Sequence, residues 1–189
     1  MSSTAEDQSL GVMSRNAYRR WAEAQPRGRF ERIDGQVVAM APERASHADR
    51  KALAWLALRR AVAEANLPCH VYPDGMTIEA GEDGDYEPDA VVHCGGKLPG
   101  DAVVVPAPLI VVEVLSPSTR ANDLTRKLVG YFQVPSIRHY LIFDADRPRV
   151  IHYRRRNGSQ EFDTRILTAG EIRFDPPGMV ITVEDVYAT

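Results

Sequence analysis

The chain has 189 residues, of which 44% are hydrophobic, and a formal net charge of −3. These values fit one domain of ordinary size with a buried core, and they exclude collagen-like, fibrous and strongly disordered chains. The charge is uneven: residues 74–101 hold eight acidic residues and one basic, whereas residues 119–156 hold nine basic and three acidic. Such halves would suit a metal site facing a polyanion, although many solvated surfaces share the pattern.

The two cysteines and the N-terminus bear on the compartment. Cys69 and Cys94 show no metal-ligand spacing and are not expected to build a disulfide scaffold, which favours a reducing compartment. The N-terminus lacks the pattern of a secretory signal, and no apolar run approaches the roughly 18 residues of a membrane span. We therefore expect a cytoplasmic protein that does not associate with membranes. Residues 1–12 are predicted to be a flexible tail and residues 13–189 one domain.

The first elements follow from capping and turn signals. A helix is predicted to start near Ser14, an acceptable N-cap, and to end before Pro26. Asp34-Gly35 lies between two short alternating runs and predicts a β-hairpin. Residues 46–66 contain no Pro or Gly and predict a long helix whose broad apolar face packs on a sheet. Short strands are predicted next, at residues 70–72, 76–79 and 89–93. The segment GEDGDYEPD (81–89) is interpreted as a solvated loop.

The second half of the chain centres on the run LIVVEVL, residues 109–115. A near-continuous apolar, β-branched run is typical of a central strand covered on both faces. The segment from Ser116 to Thr119 breaks this strand and begins a helix that runs to about Val134.

The remaining residues read as short strands and hairpins. Arg154-Arg155-Arg156 precedes the turn signal Asn157-Gly158, and this basic tip either binds phosphates or is a solvated turn. The runs do not alternate strictly as strand and helix, so the predicted class is α/β (α+β), a mixed central sheet flanked by helices. The strands predicted here are residues 139–144, 149–155, 162–167, 171–174 and 180–183.

Two acidic residues occupy unusual places in these strands. Glu113 interrupts the apolar run, and a buried carboxylate needs a partner, a metal or a proton. Asp89 follows Pro88 at the head of the preceding strand. Two carboxylates on neighbouring strands repel unless a cation lies between them, and Mg²⁺ is commonly held by one or two carboxylates. A core ion pair for Glu113 and a strand-start role for Asp89 are the alternatives.

Lys127 lies on the helix predicted after the Glu113 strand. Asp123, Lys127 and Tyr131 follow one another at intervals of four residues, so they form one polar stripe. An exposed ion pair between Asp123 and Lys127 is the alternative interpretation. Because exposed helix pairs contribute only about 0.3–0.5 kcal/mol, replacement of Lys127 by alanine is expected to leave the fold intact.

The ordered set of these motifs resembles the Uma2 family, a group of restriction-endonuclease-like proteins within the PD-(D/E)XK superfamily. The resemblance covers the chain from about residue 14 to the end and implies a restriction-endonuclease-like core. The segments that carry it are FERIDGQVVAMAP (30–42), EPDAVV (87–92), VVEVLSPSTRANDLTRKLVGYF (111–132) and HYLIFD (139–144), with His47 near the start of the long helix.

The resemblance also implies roles for the acidic pair and its lysine. Asp89 and Glu113 would match the metal-binding acids, with the backbone carbonyl of Val114 as a further ligand. In the superfamily a lysine follows the second acid by two positions, which here is Leu115. The family carries its lysine on the following helix instead, at the position of Lys127.

Two earlier residues match as well. Glu31 would correspond to the family's early acidic residue and hold a second metal or its water shell, and His47 to its helix histidine. The family usually shows Tyr-Trp in the late strand, where this chain has Tyr140-Leu141, a difference that affects packing more than chemistry.

The implied activity is Mg²⁺-dependent endonuclease cleavage of DNA, with Mn²⁺ as a substitute. The cation would polarise the scissile phosphate and lower the pKa of a bound water, while Lys127 would orient that water or neutralise developing charge. A catalytically silent nuclease-fold binding module remains an alternative, as does a phosphodiesterase acting on RNA or another substrate. A homodimer is expected because cutting both strands of a duplex needs two sites.

Overall fold

Four helices and twelve strands make up the part of the chain that the computed structural model describes, residues 11–115, 125–156, 159 and 161–188. No helix within these residues is long and apolar enough to cross a membrane. In chain order the elements are α1 (Arg15–Glu23), β1 (Phe30–Ile33), β2 (Gln36–Ala39), α2 (Ala45–Glu64), β3 (Cys69–Pro73), β4 (Ile78–Ala80), β5 (Gly84–Tyr86), β6 (Ala90–Cys94), β7 (Pro108–Leu115), α3 (Lys127–Gln133), β8 (His139–Asp144), β9 (Val150–Arg155), β10 (Phe162–Leu167), β11 (Glu171–Phe174), β12 (Met179–Thr182) and α4 (Val183–Tyr187).

A six-stranded mixed sheet lies at the centre, with strand order β10-β9-β8-β7-β6-β3. Strands β7 and β8 run parallel, and every other neighbouring pair is antiparallel. A smaller sheet has the order β2-β1-β5-β4, and β11 pairs with β12. The predicted class, a mixed central sheet flanked by helices, is confirmed.

The side chains of β7 alternate between two apolar cores. Val112 and Val114 belong to the core on the side of α2, together with α4 and the β11–β12 pair. Val111 and Leu115 belong to the core on the opposite side, which α3 and the smaller sheet complete. Because successive side chains of a strand point to opposite faces, Glu113 shares the second face. Its carboxylate therefore enters an otherwise apolar layer.

Local signals near the N-terminus are confirmed. Ser14 caps α1, and its hydroxyl accepts a hydrogen bond from the backbone N–H of Ala17. Asp34 and Gly35 join β1 to β2 with φ values of 51° and 76°. Both residues adopt positive φ, as a two-residue hairpin turn of the primed type requires.

The segment 81–89 is not a solvated loop, and that prediction was wrong. It contains β5, in which Asp85 is 1% exposed. The Asp85 carboxylate accepts from Nε of Arg32 at 2.6 Å and from Nε of Arg15 at 2.8 Å. These partners lie 53 and 70 residues away in sequence, so the acidic composition of the segment does not reveal them.

The basic run 154–156 is not a uniformly solvated tip. Arg155 is buried, and its guanidinium donates to backbone carbonyls at the end of α3 and in the loop that follows. Arg154 and Arg156 contact the carboxylate of Asp163 across the β9–β10 pair. Arg155 therefore has a structural role, and its guanidinium does not face solvent as the predicted basic tip would require. The predicted turn at Asn157-Gly158 lies outside the described residues.

Cys69 and Cys94 form one disulfide, a pairing that the sequence analysis did not predict. The two residues are direct partners in the antiparallel register of β3 and β6. Their separation of 25 residues gives no signal in the sequence, because only the strand register brings them together. The argument for a reducing compartment assumed that the two cysteines do not pair, so the disulfide removes its basis.

Two buried histidines on β8 and β9 share a hydrogen bond. His139 Nδ1 lies 2.9 Å from His152 Nε2, and His139 Nε2 lies 2.8 Å from the carbonyl of Pro176. Since a carbonyl can only accept, His139 donates through Nε2, and in the neutral ring its Nδ1 accepts from Nε2 of His152. Burial lowers the pKa of His139 to about 4, and burial together with repulsion from the protonated form of His139 lowers the pKa of His152 to about 3.

This pair predicts acid destabilisation. Both folded pKa values lie below the ordinary value of about 6.5, so the unfolded chain binds more protons between pH 6.5 and about 4. The free energy of unfolding should fall as pH drops through this window, by up to ~2.7 kcal/mol per pH unit for two protons. Urea unfolding at pH 7, 6 and 5 measures how the free energy of unfolding depends on pH. His152→Gln should reduce this dependence by the contribution of about one proton. Equal pH dependence in wild type and variant would contradict the lowered pKa of His152.

Candidate functional site

The predicted acids lie at the same end of the adjacent strands β6 and β7. The backbone N–H of Asp89 donates to the carbonyl of Val112 at 2.9 Å, which extends the ladder to the start of β6. The Asp89 carboxylate then accepts from the backbone N–H of Val114 at 2.6 Å. Asp89 is thus fixed against the residue that follows Glu113. The side chains diverge from there, Asp89 towards α2 and Glu113 towards α3.

Glu113 belongs to a buried cluster formed by β1, β7 and α3. Lys127 Nζ lies 2.9 Å from Glu113 Oε1 and 2.8 Å from Glu31 Oε1. The Tyr131 hydroxyl donates to the same Glu113 oxygen at 2.6 Å. All four residues are buried: Glu31 and Glu113 are each 4% exposed, Lys127 is 2% exposed and Tyr131 is 0% exposed. One lysine therefore serves two buried carboxylates.

The interpretation of Lys127 as half of an exposed ion pair is wrong, because the residue is buried. Lys127 and Tyr131, four residues apart on α3, point together at Glu113, as the predicted polar stripe requires. Asp123 lies outside the described residues. The expectation that Lys127→Ala would change the stability little rested on exposure, and the structure removes that basis.

Asp89 is the centre of a second cluster on the side of α2. Lys51 Nζ lies 3.2 Å from one oxygen of Asp89, and His47 Nε2 lies 3.8 Å from the other. Lys51 also binds the carboxylates of Glu43 and Asp74. Burial raises the pKa of Asp89, and the positive charge of Lys51 opposes this shift.

The backbone of Val114 connects this cluster to α2. Its N–H donates a hydrogen bond to the Asp89 carboxylate, and its carbonyl accepts one from His47 Nε2 at 2.8 Å. The family resemblance implied His47 and the Val114 carbonyl as two separate site groups, and the structure places them in direct contact.

A chain of ion pairs and hydrogen bonds joins the two clusters. Arg29 binds Asp74 at 2.6 Å and Glu87 at 2.8 Å. The backbone N–H of Glu87 in turn donates to Glu31 at 2.8 Å. The connection therefore passes from the α2 cluster through Arg29 to the acid that shares Lys127 with Glu113.

Sequence reasoning missed Lys51, Glu43 and Asp74. A signal for Lys51 existed, because it follows His47 by one helical turn and lies on the buried face of α2, where alanine and leucine predominate. A charged residue on such a face needs a partner. Glu43 and Asp74 carry no comparable signal, since each looks like an ordinary acidic residue near the end of an element.

The chain belongs to the Uma2 family, whose model matches residues 15–181 and is described as "Putative restriction endonuclease". It is 24% identical over 180 residues to the uncharacterized protein slr1290 of Synechocystis sp., covering 93% of this chain and 91% of that protein. It also resembles the crystal structure of "a putative nuclease belonging to DUF820" from Anabaena variabilis. That likeness has a TM-score of 0.74 and 14% identity, and covers 93% of this chain and 98% of that one. The fold class and the family resemblance are confirmed.

The shared lysine predicts a large effect of Lys127 on stability. Lys127→Met would leave the carboxylates of Glu31 and Glu113 buried without this cation, and removing one partner of a buried ion pair costs about 3–5 kcal/mol. The loss should shrink in the double variant with Glu31→Gln, because one of the two uncompensated charges is gone. Urea unfolding at neutral pH of wild type, both single variants and the double variant measures the coupling.

Lys97→Met is the matched control, because Lys97 is exposed. It should change the free energy of unfolding by no more than about 0.5 kcal/mol. A Lys127→Met effect as small as that of Lys97→Met would show that the buried cluster is not a stabilising ion pair.

Proposed function

We propose that this chain is a metal-dependent endonuclease that hydrolyses phosphodiester bonds of DNA. The observation that carries the proposal is the pair of buried acids, Asp89 and Glu113, at the same end of adjacent strands with Lys127 beside Glu113. Membership of the Uma2 family supports the same reaction class.

The residues present fit a hard divalent cation such as Mg²⁺, or Mn²⁺ in its place. Mg²⁺ prefers oxygen ligands, which the carboxylates of Asp89 and Glu113 and the carbonyl of Val114 would supply. Because Asp89 faces α2 and Glu113 faces α3, one cation can bind both carboxylates only if they turn towards each other, away from Lys51 and Lys127. Burial already raises the pKa of Asp89, so its carboxylate gains from a nearby cation. When bound, the cation supplies polarisation of the scissile phosphate and a lower pKa for an attacking water.

Lys127 and the groups around it complete the proposed site. The Lys127 ammonium would neutralise the charge that develops on the phosphate or orient the attacking water. Tyr131 is proposed as a positioning residue that holds the Glu113 carboxylate, since burial and the charge of Glu113 raise its pKa well above the ordinary value and it stays protonated. Glu31 would keep Lys127 in place and support a second metal or its water shell.

His47 is proposed to position the Val114 carbonyl through the hydrogen bond it donates. The Val114 carbonyl lies directly after Glu113 in the chain, so fixing it also fixes the end of β7. Asp123 stays a proposed site residue on the sequence pattern alone.

A second candidate is a nuclease-fold module that binds nucleic acid without cutting it. The net charge of −3 favours it, because strong non-specific binding of a polyanion usually needs a basic surface. RNA or another phosphodiester is the alternative substrate of an active enzyme. A homodimer stays part of the proposal, since two sites would cut both strands of a duplex.

Cleavage of DNA is the direct test. Wild type should cut supercoiled plasmid or single-stranded DNA in Mg²⁺ or Mn²⁺, and Glu113→Gln and Asp89→Asn should each lower the rate by on the order of a hundredfold or more. Lys127→Met should lose activity to a similar degree. Because that variant is also expected to be less stable, Lys127→Arg, which keeps the charge, separates loss of the fold from loss of the ammonium.

Glu64→Gln is the control, because Glu64 is exposed on α2 and its ion pair with Arg60 lies at the surface. It should cut at the wild-type rate. Cleavage of RNA but not DNA would reassign the substrate, and binding without cleavage of any nucleic acid would favour the non-cutting module.

A further inference from the structure

The side of Asp89 that faces α2 gathers three groups able to ligate a metal. Glu43 lies just before α2 and His47 lies in its first turn. One ligand atom from each of Glu43, His47 and Asp89 lies within 4.8 Å of the others. Glu113, on the other side of β7, is not part of this group.

The hydrogen bond to Val114 fixes which nitrogen of His47 keeps its proton. A carbonyl oxygen can only accept, so Nε2 carries a proton, and in the neutral form of the ring Nδ1 bears a lone pair. Nδ1 is buried and has no hydrogen-bond partner among the described residues. The closest charged atom recorded for it is Oε2 of Glu43, at 3.8 Å. Two acceptors therefore face each other, an arrangement that a cation between them would stabilise.

Each of the two carboxylates divides its oxygens between Lys51 and His47. Glu43 directs Oε1 to Lys51 and Oε2 to His47. Asp89 directs Oδ1 to Lys51, while its Oδ2 accepts from the Val114 N–H and lies 3.8 Å from Nε2 of His47. Lys51 thus neutralises one side of the group, and the side that faces the imidazole has no fixed cation among the described residues.

The charges around this group do not balance. Four carboxylates, those of Glu43, Asp74, Glu87 and Asp89, are linked to two cationic side chains, Lys51 and Arg29. With His47 neutral, two negative charges are left over in a partly buried region. A divalent cation would compensate both.

We propose that Glu43, His47 Nδ1 and Asp89 form a further cation site on the α2 side of β7, which shares Asp89 with the proposed catalytic site and takes a divalent transition metal such as Zn²⁺. Imidazole nitrogen with carboxylate oxygen suits Zn²⁺ better than Mg²⁺, which prefers oxygen alone. The separation of 3.8 Å fits one metal bonded to both atoms at about 2.0–2.2 Å. The cation would also reduce the negative charge that an approaching polyanion meets, and the site does not require the chain to cut nucleic acid.

Zinc titration in the Glu113→Gln background isolates this site, because that substitution weakens the proposed catalytic one. Calorimetry should show one Zn²⁺ per chain, and ¹⁵N spectra of the imidazoles should show the Nδ1 resonance of His47 shifting on binding. His47→Gln keeps a donor towards the Val114 carbonyl but lacks the imidazole lone pair. Added to Glu113→Gln, it should weaken Zn²⁺ binding by at least about a hundredfold.

Glu43→Gln should weaken binding in the same way, and it serves if His47→Gln fails to fold. His93→Asn is the matched control, because His93 Nδ1 donates to the carbonyl of Ala107 in a different part of the sheet and an asparagine amide can replace that donor. It should bind Zn²⁺ as its parent does. No Zn²⁺ binding, or binding unchanged by His47→Gln and Glu43→Gln, would overturn the proposal. Absence of DNA cleavage by the wild type would count against the proposed function and leave this site standing.

Discussion

The sharing of Lys127 between Glu31 and Glu113 is the interaction on which the site depends. A carboxylate in the middle of a buried apolar strand is unfavourable unless a cation or a hydrogen-bond donor compensates it. Lys127 supplies the cation from α3, and Tyr131 supplies the donor from the next turn of the same helix. This requirement fixes α3 against β7 and draws β1 into the same cluster through Glu31.

The backbone of Val114 divides the site into two halves. On the α3 side, Glu113 and Glu31 share one ammonium. On the α2 side, Asp89 binds the Val114 N–H while His47 binds the Val114 carbonyl. Because both halves attach to the end of β7, a change in one half can reach the other through a single residue of backbone.

Much of the fold was predictable because its signals are local. The cap at Ser14, the turn at Asp34-Gly35 and the apolar run of β7 each involve residues close in sequence, and the structure confirms all three. Glu113 was found because a charge in an apolar run is also a local pattern, whereas the roles of Asp89 and Lys127 were assigned by the family resemblance. The buried Asp85 and the disulfide depend on partners that are distant in sequence, which no local pattern shows. Lys51 does carry a local signal on the buried face of α2, but its partners Asp74 and Asp89 carry none that points to it.

The central claim is that Asp89 and Glu113 hold one cation between them. Its most direct test is the anomalous scattering of Mn²⁺ in crystals of the protein and of Glu113→Gln. The account predicts an anomalous peak within bonding distance of both carboxylates in the wild type, and no peak at that position in the variant. Wild-type crystals in which Mn²⁺ occupies other positions, while Glu113 stays paired with Lys127 and Asp89 with Lys51, would contradict it.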